Sequence, residues 1–543
     1  MALNFVDWLL LFAFLVILAF LLAVWRNNHF RRRGVRHHHQ PLPFFGNMKE
    51  IFFHKEHFVE TLLRIYNENQ GQRYTGFFAY TKPIIVVRDL DLIKQVGVKD
   101  FDHFVDHKVF LDEEAEPLFG SNLFFLRGQK WRDMRAALSP AYTSSKMKSI
   151  FPLVYECGEQ TRDFLLKLAK EKESENKMLE IEIKEMFTRY TNDVIASTAF
   201  GFKINSFEER ENEFFVMGKK ATNFSGWQFL KFQGYATFPK LMKLFKLPLF
   251  PLDVATYYRT LVHETMANRE KEGIVRPDMV HLLMQAKKGS LQYDTDLTTT
   301  DDTRFSNVQG HTGPNKPNVH KREWTQDEIT AQAVAFMIAG FGTPSSLLCF
   351  MAYELAVHPE AQAKLHEEID EVYAKTDGKP SYSDLSNMKY IDMVISEVLR
   401  IWPPDGFLER VCVKPYTFPP QNENSSRKLH IAVGDELLIP IYSIHHNPDY
   451  FPDPEKFDPE RFSEENKSFI KPFTYIPFGV GPRLCIGARF ALMEAKAVWF
   501  HVLAHFELVV TEKTTIPFVL AKDTFNMHPE SGLWLGLKAR KTQ

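Results

Sequence analysis

The chain has 543 residues, 45% of them hydrophobic, which suffices for one large single-core enzyme or for three or four smaller domains. Its 66 Lys and Arg nearly balance 68 Asp and Glu, which argues against a globally basic nucleic-acid-binding protein and against an acidic disordered tail. Its 4 cysteines are too few and too dispersed for a disulfide framework or a CxxC zinc site, so we expect folding in a reducing compartment.

The first predicted element is an N-terminal transmembrane helix. Every residue of 8–25 is apolar, and the run ends in bulky residues, unlike the small-residue exit of a cleaved signal peptide. Asp7 precedes the run and Arg26 opens an arginine-rich stretch, so the positive-inside rule places all that follows in the cytosol. We therefore predict a signal anchor at 1–26 and a basic, proline-containing linker at 27–50.

Residues 51–543 predict a single large domain that is mainly α-helical with small β-sheets. Amphipathic helical stretches alternate there with a few short apolar runs, and strands are predicted at 84–87 and 436–441. Residues 287–322 are rich in Asp, Thr, Asn, Gly and Pro. That composition predicts an exposed polar loop within the domain.

A long buried helix is predicted after this loop. Thr325 and Glu328 have the spacing of a capping box, and the sequence that follows is apolar nearly all round as far as Leu355. His358 and the proline after it predict the end of the helix. A helix that is apolar on every side is expected in the centre of the protein.

The middle of this helix contains residues of low helix propensity. Glycine costs ~1 kcal/mol and proline ~3 kcal/mol relative to alanine, and Gly340, Gly342 and Pro344 lie within one turn. Pro344 lacks an N–H and its ring crowds the Gly340 carbonyl. We therefore predict that the hydrogen-bond ladder opens beside Thr343 and frees a carbonyl and a hydroxyl; a packing kink is the alternative.

Glu397 and Arg400 are predicted to form a buried ion pair at positions i and i+3 of another helix. Most pairs of this spacing lie on the surface, but the helix is otherwise apolar and two prolines follow it. A buried pair needs further partners. Arg461 is the predicted third member.

The stretch 477–487, PFGVGPRLCIG, predicts a tight loop around Cys485. Its three glycines allow the backbone to approach a large planar ligand and its amides to point at the sulfur. One cysteine without a CxxC partner fits a single axial bond to haem iron better than zinc or an iron–sulfur cluster, which need several ligands. Arg483 is placed to meet a haem propionate. A buried structural cysteine is the alternative.

These motifs and their order resemble the microsomal cytochromes P450, which are haem-thiolate monooxygenases. The segments 193–195, 199–201 and 276–281 are most similar to insect members that clear foreign compounds. The resemblance implies the family's helical fold, a haem b cofactor, dioxygen as co-substrate and a lipophilic small-molecule substrate. It implies Cys485 as the axial ligand, with Glu397, Arg400 and Arg461 as the buried charge network behind it. The other residues expected to bind the haem are Trp131, Arg135, Arg410, Phe478 and Arg483.

The resemblance also implies an oxygen site in the central helix. Thr343 is expected to relay protons, and the Gly340 carbonyl to hold an ordered water. The family usually carries Asp or Glu immediately before this threonine, but this chain has Gly342. The usual second proton donor is therefore missing.

The expected partners follow from what the chain lacks. It shows neither a Rossmann fingerprint nor a P-loop, so electrons are expected from NADPH-cytochrome P450 reductase, with cytochrome b5 as a second candidate, at the cytosolic face of the endoplasmic reticulum. Lys130 and Arg132 are candidates for docking such a partner, with ordinary surface charge as the alternative. Nucleic acid is not expected. Candidates for the substrate pocket, each with plain core as its alternative, are Phe124, Phe125, Phe336, Phe407 and Phe518.

Two other classes of function remain open at this stage. A haem-thiolate isomerase or a haem-based sensor would need no proton relay. Thr343 argues against that class, and Gly342 weakly for it. A membrane scaffold without haem is the third class, and it would show no Soret band.

Overall fold

The computed structural model describes residues 13–14, 16–21, 24, 28–38, 41–108, 116–175, 177–222, 226–237, 239–245, 247, 251–276, 278–287, 324–522 and 527–540. The helices, numbered from His29, are α1 (His29–Arg33), α2 (Lys49–Phe52), α3 (Phe58–Glu68), α4 (Leu90–Lys94), α5 (Pro117–Gly120), α6 (Gly128–Leu138), α7 (Ser144–Ser174), α8 (Ile183–Ile195), α9 (Glu213–Thr222), α10 (Gly226–Thr237), α11 (Pro239–Leu244), α12 (Leu252–Glu272), α13 (Met279–Lys287), α14 (Gln326–Val357), α15 (Pro359–Thr376), α16 (Tyr382–Ser386), α17 (Lys389–Ile401), α18 (Ile441–His445) and α19 (Ala488–Leu503). The strands are β1 (Tyr74–Ala79), β2 (Lys82–Val87), β3 (Leu179–Glu182), β4 (Leu408–Val411), β5 (Tyr416–Phe418), β6 (Leu429–Ile431), β7 (Glu436–Ile439), β8 (Phe506–Val509) and β9 (Trp534–Ala539). The predicted mainly helical fold with small sheets is confirmed.

The four-stranded sheet has the order β1-β2-β7-β4, with β2 antiparallel to β1 and parallel to β7. The strand predicted at 84–87 is confirmed within β2. The strand predicted at 436–441 ends earlier, at Ile439, because Pro440 has no N–H to donate to a ladder and instead precedes α18. The other sheets are β3-β9-β8 and β5-β6.

The described part of 27–50 packs against the four-stranded sheet. Phe30 is buried and meets the ring of Phe78 at 4.9 Å between centroids. Val35 and Met48 are also buried. The segment that precedes the domain therefore contributes to its core.

The predicted anchor at 1–26 lies mostly outside the described residues. Those described between 13 and 24 are helical, and large apolar side chains among them, such as Phe14 and Leu21, are exposed. Within the described ranges one helix, α14, is long and apolar enough to cross a membrane, but 67% of its most apolar window is buried inside the protein. The predicted polar loop at 287–322 lies outside the described residues except for Lys287, which ends α13.

Helix α14 begins and ends where its capping signals predict. The Glu328 amide donates to Thr325 Oγ1 at 3.2 Å, and the Thr325 amide donates to Glu328 Oε2 at 2.9 Å. The helix is buried along nearly its whole length and ends at Val357, before His358. The prediction of a central buried helix is confirmed.

The break predicted beside Thr343 is wrong, because α14 runs through Pro344. The carbonyl predicted to be freed remains, since Pro344 has no N–H to donate to Gly340. The Thr343 hydroxyl is not free, since it donates to the Ala339 carbonyl at 2.7 Å. Neighbouring α8 holds this stretch closely: the Thr191 hydroxyl donates to the Phe341 carbonyl at 3.0 Å. Tertiary contacts along the helix outweigh the low propensity of its middle residues.

Two large hydrophobic clusters meet at α14. The first includes Phe350 and Trp499, and the second includes Phe336 and Phe341. Tyr142, partly buried, packs against both clusters. Tyr142 therefore lies at the junction of the two clusters.

Candidate active site

The cysteine loop is a tight turn that glycines make possible. Gly479 and Gly481 have φ of 84° and 69°, a backbone conformation that side chains disfavour. A Cβ on Gly481 would lie 1.8 Å from the Gly97 carbonyl oxygen, so no other residue fits there. The Cys485 amide donates to the Phe478 carbonyl at 3.0 Å, which closes the loop. The predicted loop geometry is confirmed.

Cys485 is exposed, whereas the other three cysteines are buried. The residue exposes surface, and yet the surrounding protein raises the pKa of its thiol by burial. The two observations agree if that surface lines a space inside the protein. The Gly487 amide hydrogen bond and the charge of Arg135 act in the opposite direction and lower this pKa, so both favour the thiolate. The carboxyl group of Asp405 raises it further.

The central helix has two exposed residues in its middle. Ala339 and Thr343 are exposed, although the helix around them is otherwise almost entirely buried. Gly340 allows close packing on α8, since a Cβ there would lie 2.2 Å from Ile195 Cδ1. Three residues before Ala339, the ring of Phe336 meets that of Tyr142 at 5.8 Å.

Tyr142 links the central helix to the cysteine loop. A Cβ on Gly487 would lie 3.9 Å from its ring. Burial raises the pKa of Tyr142 well above its usual value, and the Cys485 thiolate raises it further, while Arg135 lowers it. The thiol, this tyrosine and Arg135 thus share one electrostatic environment. The sequence analysis missed Tyr142, because nothing near it in sequence marks it as close to Cys485.

Arg410 carries two guanidinium nitrogens without a partner. It lies on β4 with 1% of its surface exposed, and its Nη1 donates to the Glu409 carbonyl at 2.8 Å. Its Nε and Nη2 are buried and have no hydrogen-bond partner in the described part of the chain. Burial lowers the pKa of Arg410 to about 10. A buried cation in this state fits an anionic group of a ligand.

His107 was also missed by the sequence analysis. Its Nδ1 accepts a long hydrogen bond, 3.4 Å, from Arg410 Nη1, and its ring stacks on Phe124 at 4.5 Å. Burial, followed by the charges of Arg410 and Arg483, holds the pKa of His107 well below its usual value. The imidazole is therefore neutral beside two guanidinium groups.

Arg483 lies beside these groups and holds the neighbouring loop. Its guanidinium donates to the carbonyls of Val105, Leu123, Phe124 and Leu126 at 2.8 to 3.3 Å. It also lies over the Trp131 ring, 4.1 Å from the centroid. Burial lowers the pKa of Arg483 to about 8, and Arg410 contributes to this shift.

The pair Trp131 and Arg135 lies one turn apart on α6. Trp131 is 3% exposed and packs against Phe101 at 5.7 Å. The charge of Arg135 acts on Cys485, as described above. On the same helix, Lys130 is exposed and Arg132 donates to Asp102 at 2.7 Å in an exposed ion pair.

The five candidate pocket phenylalanines occupy different environments. Phe336 contacts Tyr142 and Phe124 stacks on His107, so both lie beside the site, and Phe125 meets Phe124 at 5.1 Å. Phe407 packs against Phe58 at 4.9 Å, in the cluster of the four-stranded sheet. Phe518 packs against Phe350 and Trp402 in the first large cluster. The latter two have the surroundings of core residues.

The buried ion pair on α17 has the predicted geometry. Arg400 Nε and Nη2 donate to the two carboxylate oxygens of Glu397 at 2.7 and 2.8 Å, and both side chains are 0% exposed. Arg461 Nε lies 3.3 Å from Glu397 Oε1, a charge contact without hydrogen-bond geometry. The Asp458 amide also donates to this carboxylate at 3.0 Å. The predicted three-residue network is confirmed.

The donor set limits which metal group fits beside Cys485. No group of three or more His, Cys, Asp or Glu that could hold a metal ion occurs in the described part of the chain. Haem iron takes one axial ligand from a protein side chain and brings its other ligands with it, so a single cysteine suffices for it. The unpartnered nitrogens of Arg410 fit the carboxylates of such a group. The fold and the site thus define a haem-thiolate protein.

Comparison with known proteins narrows this class. The cytochrome P450 family model matches residues 37–535, and the chain therefore belongs to the cytochrome P450 family. It is 47% identical to cytochrome P450 9e2 of Blattella germanica, over 99% of this chain and 98% of the relative. It is 39% identical to probable cytochrome P450 9f2 of Drosophila melanogaster, over 98% of this chain and 99% of the relative. It is 36% identical to cytochrome P450 6j1 of Blattella germanica, over 94% of this chain and 93% of the relative.

Family membership establishes the reaction class. The chain is a haem-thiolate monooxygenase that uses dioxygen and electrons from a redox partner. An isomerase or a haem-based sensor is not favoured. The predicted haem cofactor with an axial cysteine is confirmed at the level of the family.

Proposed function

We propose that this protein is a membrane-bound monooxygenase that oxidises lipophilic foreign compounds, with Cys485 as the axial ligand of haem b. The observation that carries this proposal is the exposed Cys485 thiol with the charge of Arg135 acting on it, in a chain that also holds a buried and partly unpartnered guanidinium at Arg410. When bound, the haem supplies the oxidising chemistry, because a thiolate ligand favours O–O cleavage and insertion of oxygen into a C–H bond.

The residues around this thiol would hold the haem by its carboxylate groups and its ring. Arg410 offers two free buried donors to a propionate, and Arg135 adds a second cation close to Cys485. Arg483 is tied to main-chain carbonyls, and its Nη2 lies 3.7 Å from Asp106, so it would support a bound haem by keeping Trp131 and the adjoining loop in place. Phe478 fixes the turn through the hydrogen bond that its carbonyl accepts from Cys485.

Thr343 would handle protons at the exposed middle of α14. Its hydroxyl proton is held on the Ala339 carbonyl, so the oxygen lone pairs of this exposed side chain can accept a hydrogen bond from water or substrate. The Gly340 carbonyl receives no N–H from Pro344, because proline has none, and it can accept a hydrogen bond from a water. These two groups provide a proton route that needs no carboxylate.

Function is testable in intact microsomes with NADPH added outside. We expect NADPH- and dioxygen-dependent oxidation of lipophilic compounds when NADPH-cytochrome P450 reductase is co-expressed, with cytochrome b5 as an optional addition. External NADPH does not cross the membrane, so turnover requires a reductase that binds NADPH on the cytosolic face, and protease added outside should digest the haem domain of this chain itself. Product formation without NADPH would contradict the monooxygenase mechanism. Turnover that survives protease would contradict the proposed endoplasmic reticulum topology.

Adding the missing acid should improve the use of electrons. A Cβ built at Gly342 meets no atom within 4 Å. The Cβ of an aspartate at this position therefore has room. We expect Gly342→Asp to bind haem normally and to raise product per NADPH by roughly twofold to tenfold, below the ~10²–10⁴ of a positioned acid with no substitute. Peroxide release should fall, and both quantities are measured in the reconstituted system.

The matched control is Gly342→Asn, which has the same size and no proton to give. Better coupling in the aspartate variant alone would identify the proton as the cause. Equal coupling in wild type and the aspartate variant, with haem intact, would mean that Thr343 and the Gly340 carbonyl already suffice. Equal improvement in both variants would reject proton delivery.

A further inference from the structure

His445 connects the buried ion pair of α17 to the start of the cysteine loop. It is the last residue of α18 and is 0% exposed. Its Nδ1 lies 3.1 Å from the Arg400 carbonyl oxygen, and its Nε2 accepts a hydrogen bond from the Ile476 amide at 3.0 Å. In the other direction, Arg400 Nη1 donates to the His445 carbonyl at 3.0 Å.

These contacts fix the state of the imidazole. A carbonyl oxygen can only accept, so Nδ1 carries the proton, and an amide N–H can only donate, so Nε2 carries the lone pair. The ring also stacks on Tyr475 at 5.6 Å and meets the edge of Phe451 at 6.3 Å. His445 is therefore a neutral ring held in one tautomer and one orientation.

The path from Ile476 to the thiol is short and hydrogen-bonded. The Ile476 carbonyl accepts from the Gly479 amide at 3.0 Å, and the carbonyl of Phe478, within this same turn, accepts from the Cys485 amide at 3.0 Å. His445 thus holds the Ile476 amide at the start of the turn. The Phe478 carbonyl, two residues later in the same turn, holds the Cys485 amide. Glu397 and Arg400 reach the cysteine loop through this ring.

We propose that His445 is a positioning residue for the cysteine thiolate, which it holds in register with the haem by anchoring Ile476. This inference rests on the proposed assignment of Cys485 as the axial ligand. Without the anchor, the turn 476–479 gains freedom, and the thiolate is lost as ligand more often while the haem stays in the protein. The effect is specific to ligation, unlike a general loss of folded protein.

Two substitutions separate the two hydrogen bonds of the ring. His445→Gln places an amide oxygen near the position of Nε2 and keeps an acceptor for Ile476. His445→Asn places an amide N–H near the position of Nδ1, which keeps the bond to Arg400 and leaves the buried Ile476 amide without an acceptor. The readout is the CO-bound ferrous spectrum, in which the red-shifted band reports thiolate ligation and the unshifted band reports its loss, with total haem measured separately.

We expect the shifted band in His445→Asn to convert to the unshifted band on the order of tenfold faster than in wild type, the factor expected when one buried donor loses its acceptor. His445→Gln should convert at close to the wild-type rate. The matched control is His446→Asn. His446 is the adjacent residue, 4% exposed, and its ring contacts Tyr442 within its own turn, with Nδ1 2.9 Å from that carbonyl and no partner for Nε2 in the described part of the chain.

Equal conversion in the asparagine and glutamine variants, or equal conversion in His445→Asn and His446→Asn, would overturn the proposal. If His445→Asn does not accumulate as folded protein, the test uses His445→Gln. Conversion of its shifted band at close to the wild-type rate supports the role of Nε2. Conversion tenfold faster than in His446→Asn overturns the proposal. Absence of the shifted band from wild type itself would instead reject Cys485 as the ligand. Failure of the inference and failure of the proposed function are thereby distinguished.

Discussion

Cys485→Ala should abolish the red-shifted Soret band of the CO-bound ferrous protein and with it NADPH-dependent oxidation of substrate. The band requires a thiolate on the iron, and the other three cysteines are free but buried. His107 does not offer a replacement ligand through Nδ1, because that lone pair accepts a hydrogen bond from Arg410. The CO spectrum of purified or microsomal protein measures the effect.

Cys349→Ala is the matched control for this substitution. Cys349 is 1% exposed in the first large cluster, on the same helix as Thr343, and burial raises the pKa of its thiol to about 12. Removing its sulfur should destabilise the protein modestly through a small cavity and leave the shifted band intact. A shifted band that persists in Cys485→Ala, or that disappears in Cys349→Ala alone, would assign the axial ligand to another residue.

Local signals in the sequence account for the parts of the site that were predicted correctly. A capping box is a contact between residues three apart, so Thr325 and Glu328 reveal the start of α14 without any tertiary information. Glycines in the cysteine loop occur where the backbone has a positive φ and where Gly97 approaches closely. Both conditions disfavour a residue with a side chain. The ion pair of Glu397 and Arg400 is likewise local, and the apolar residues around it indicate its burial.

Long-range contacts account for what was missed. His445 is 31 residues from Ile476 and 45 from Arg400 in sequence, and only the folded chain shows that one ring joins them. Tyr142 and His107 reach the site in the same way. The break expected at Pro344 failed for a related reason: propensity describes an isolated helix, whereas α14 is held by α8 along its middle turns.

Apolar side chains gave the weakest basis for prediction. An aromatic residue in a pocket and one in a core have the same composition signal, so Phe336 and Phe518 are indistinguishable in sequence. In the structure the first contacts Tyr142 beside the site, and the second packs against Trp402 in a core cluster. Only their contacts in the folded chain distinguish Phe336, beside the site, from Phe518, in the core.

Glu397→Gln should reduce the yield of holoprotein sharply. The substitution keeps the shape of the side chain but leaves the Arg400 guanidinium, 0% exposed, and the neighbouring Arg461, 13% exposed, without a counter-charge. Breaking a buried ion pair on one side costs ~3–5 kcal/mol, which is a large part of the ~5–15 kcal/mol that stabilises a typical folded domain. Thermal unfolding and the amount of haem bound per protein measure the loss.

An exposed pair of the same spacing provides the comparison. Glu464 and Lys467 also stand at i and i+3, with side chains 71% and 42% exposed, so Glu464→Gln should leave the stability almost unchanged. The double variant Glu397→Gln with Arg400→Gln removes the stranded charge as well and should recover part of the lost stability, since the remaining Arg461 still donates to the Asp453 carbonyl at 2.8 Å. A double variant less stable than Glu397→Gln alone would show that Arg400 acts chiefly through its bonds to the His445 and Lys456 carbonyls, and that burial of an unpaired charge is the smaller effect.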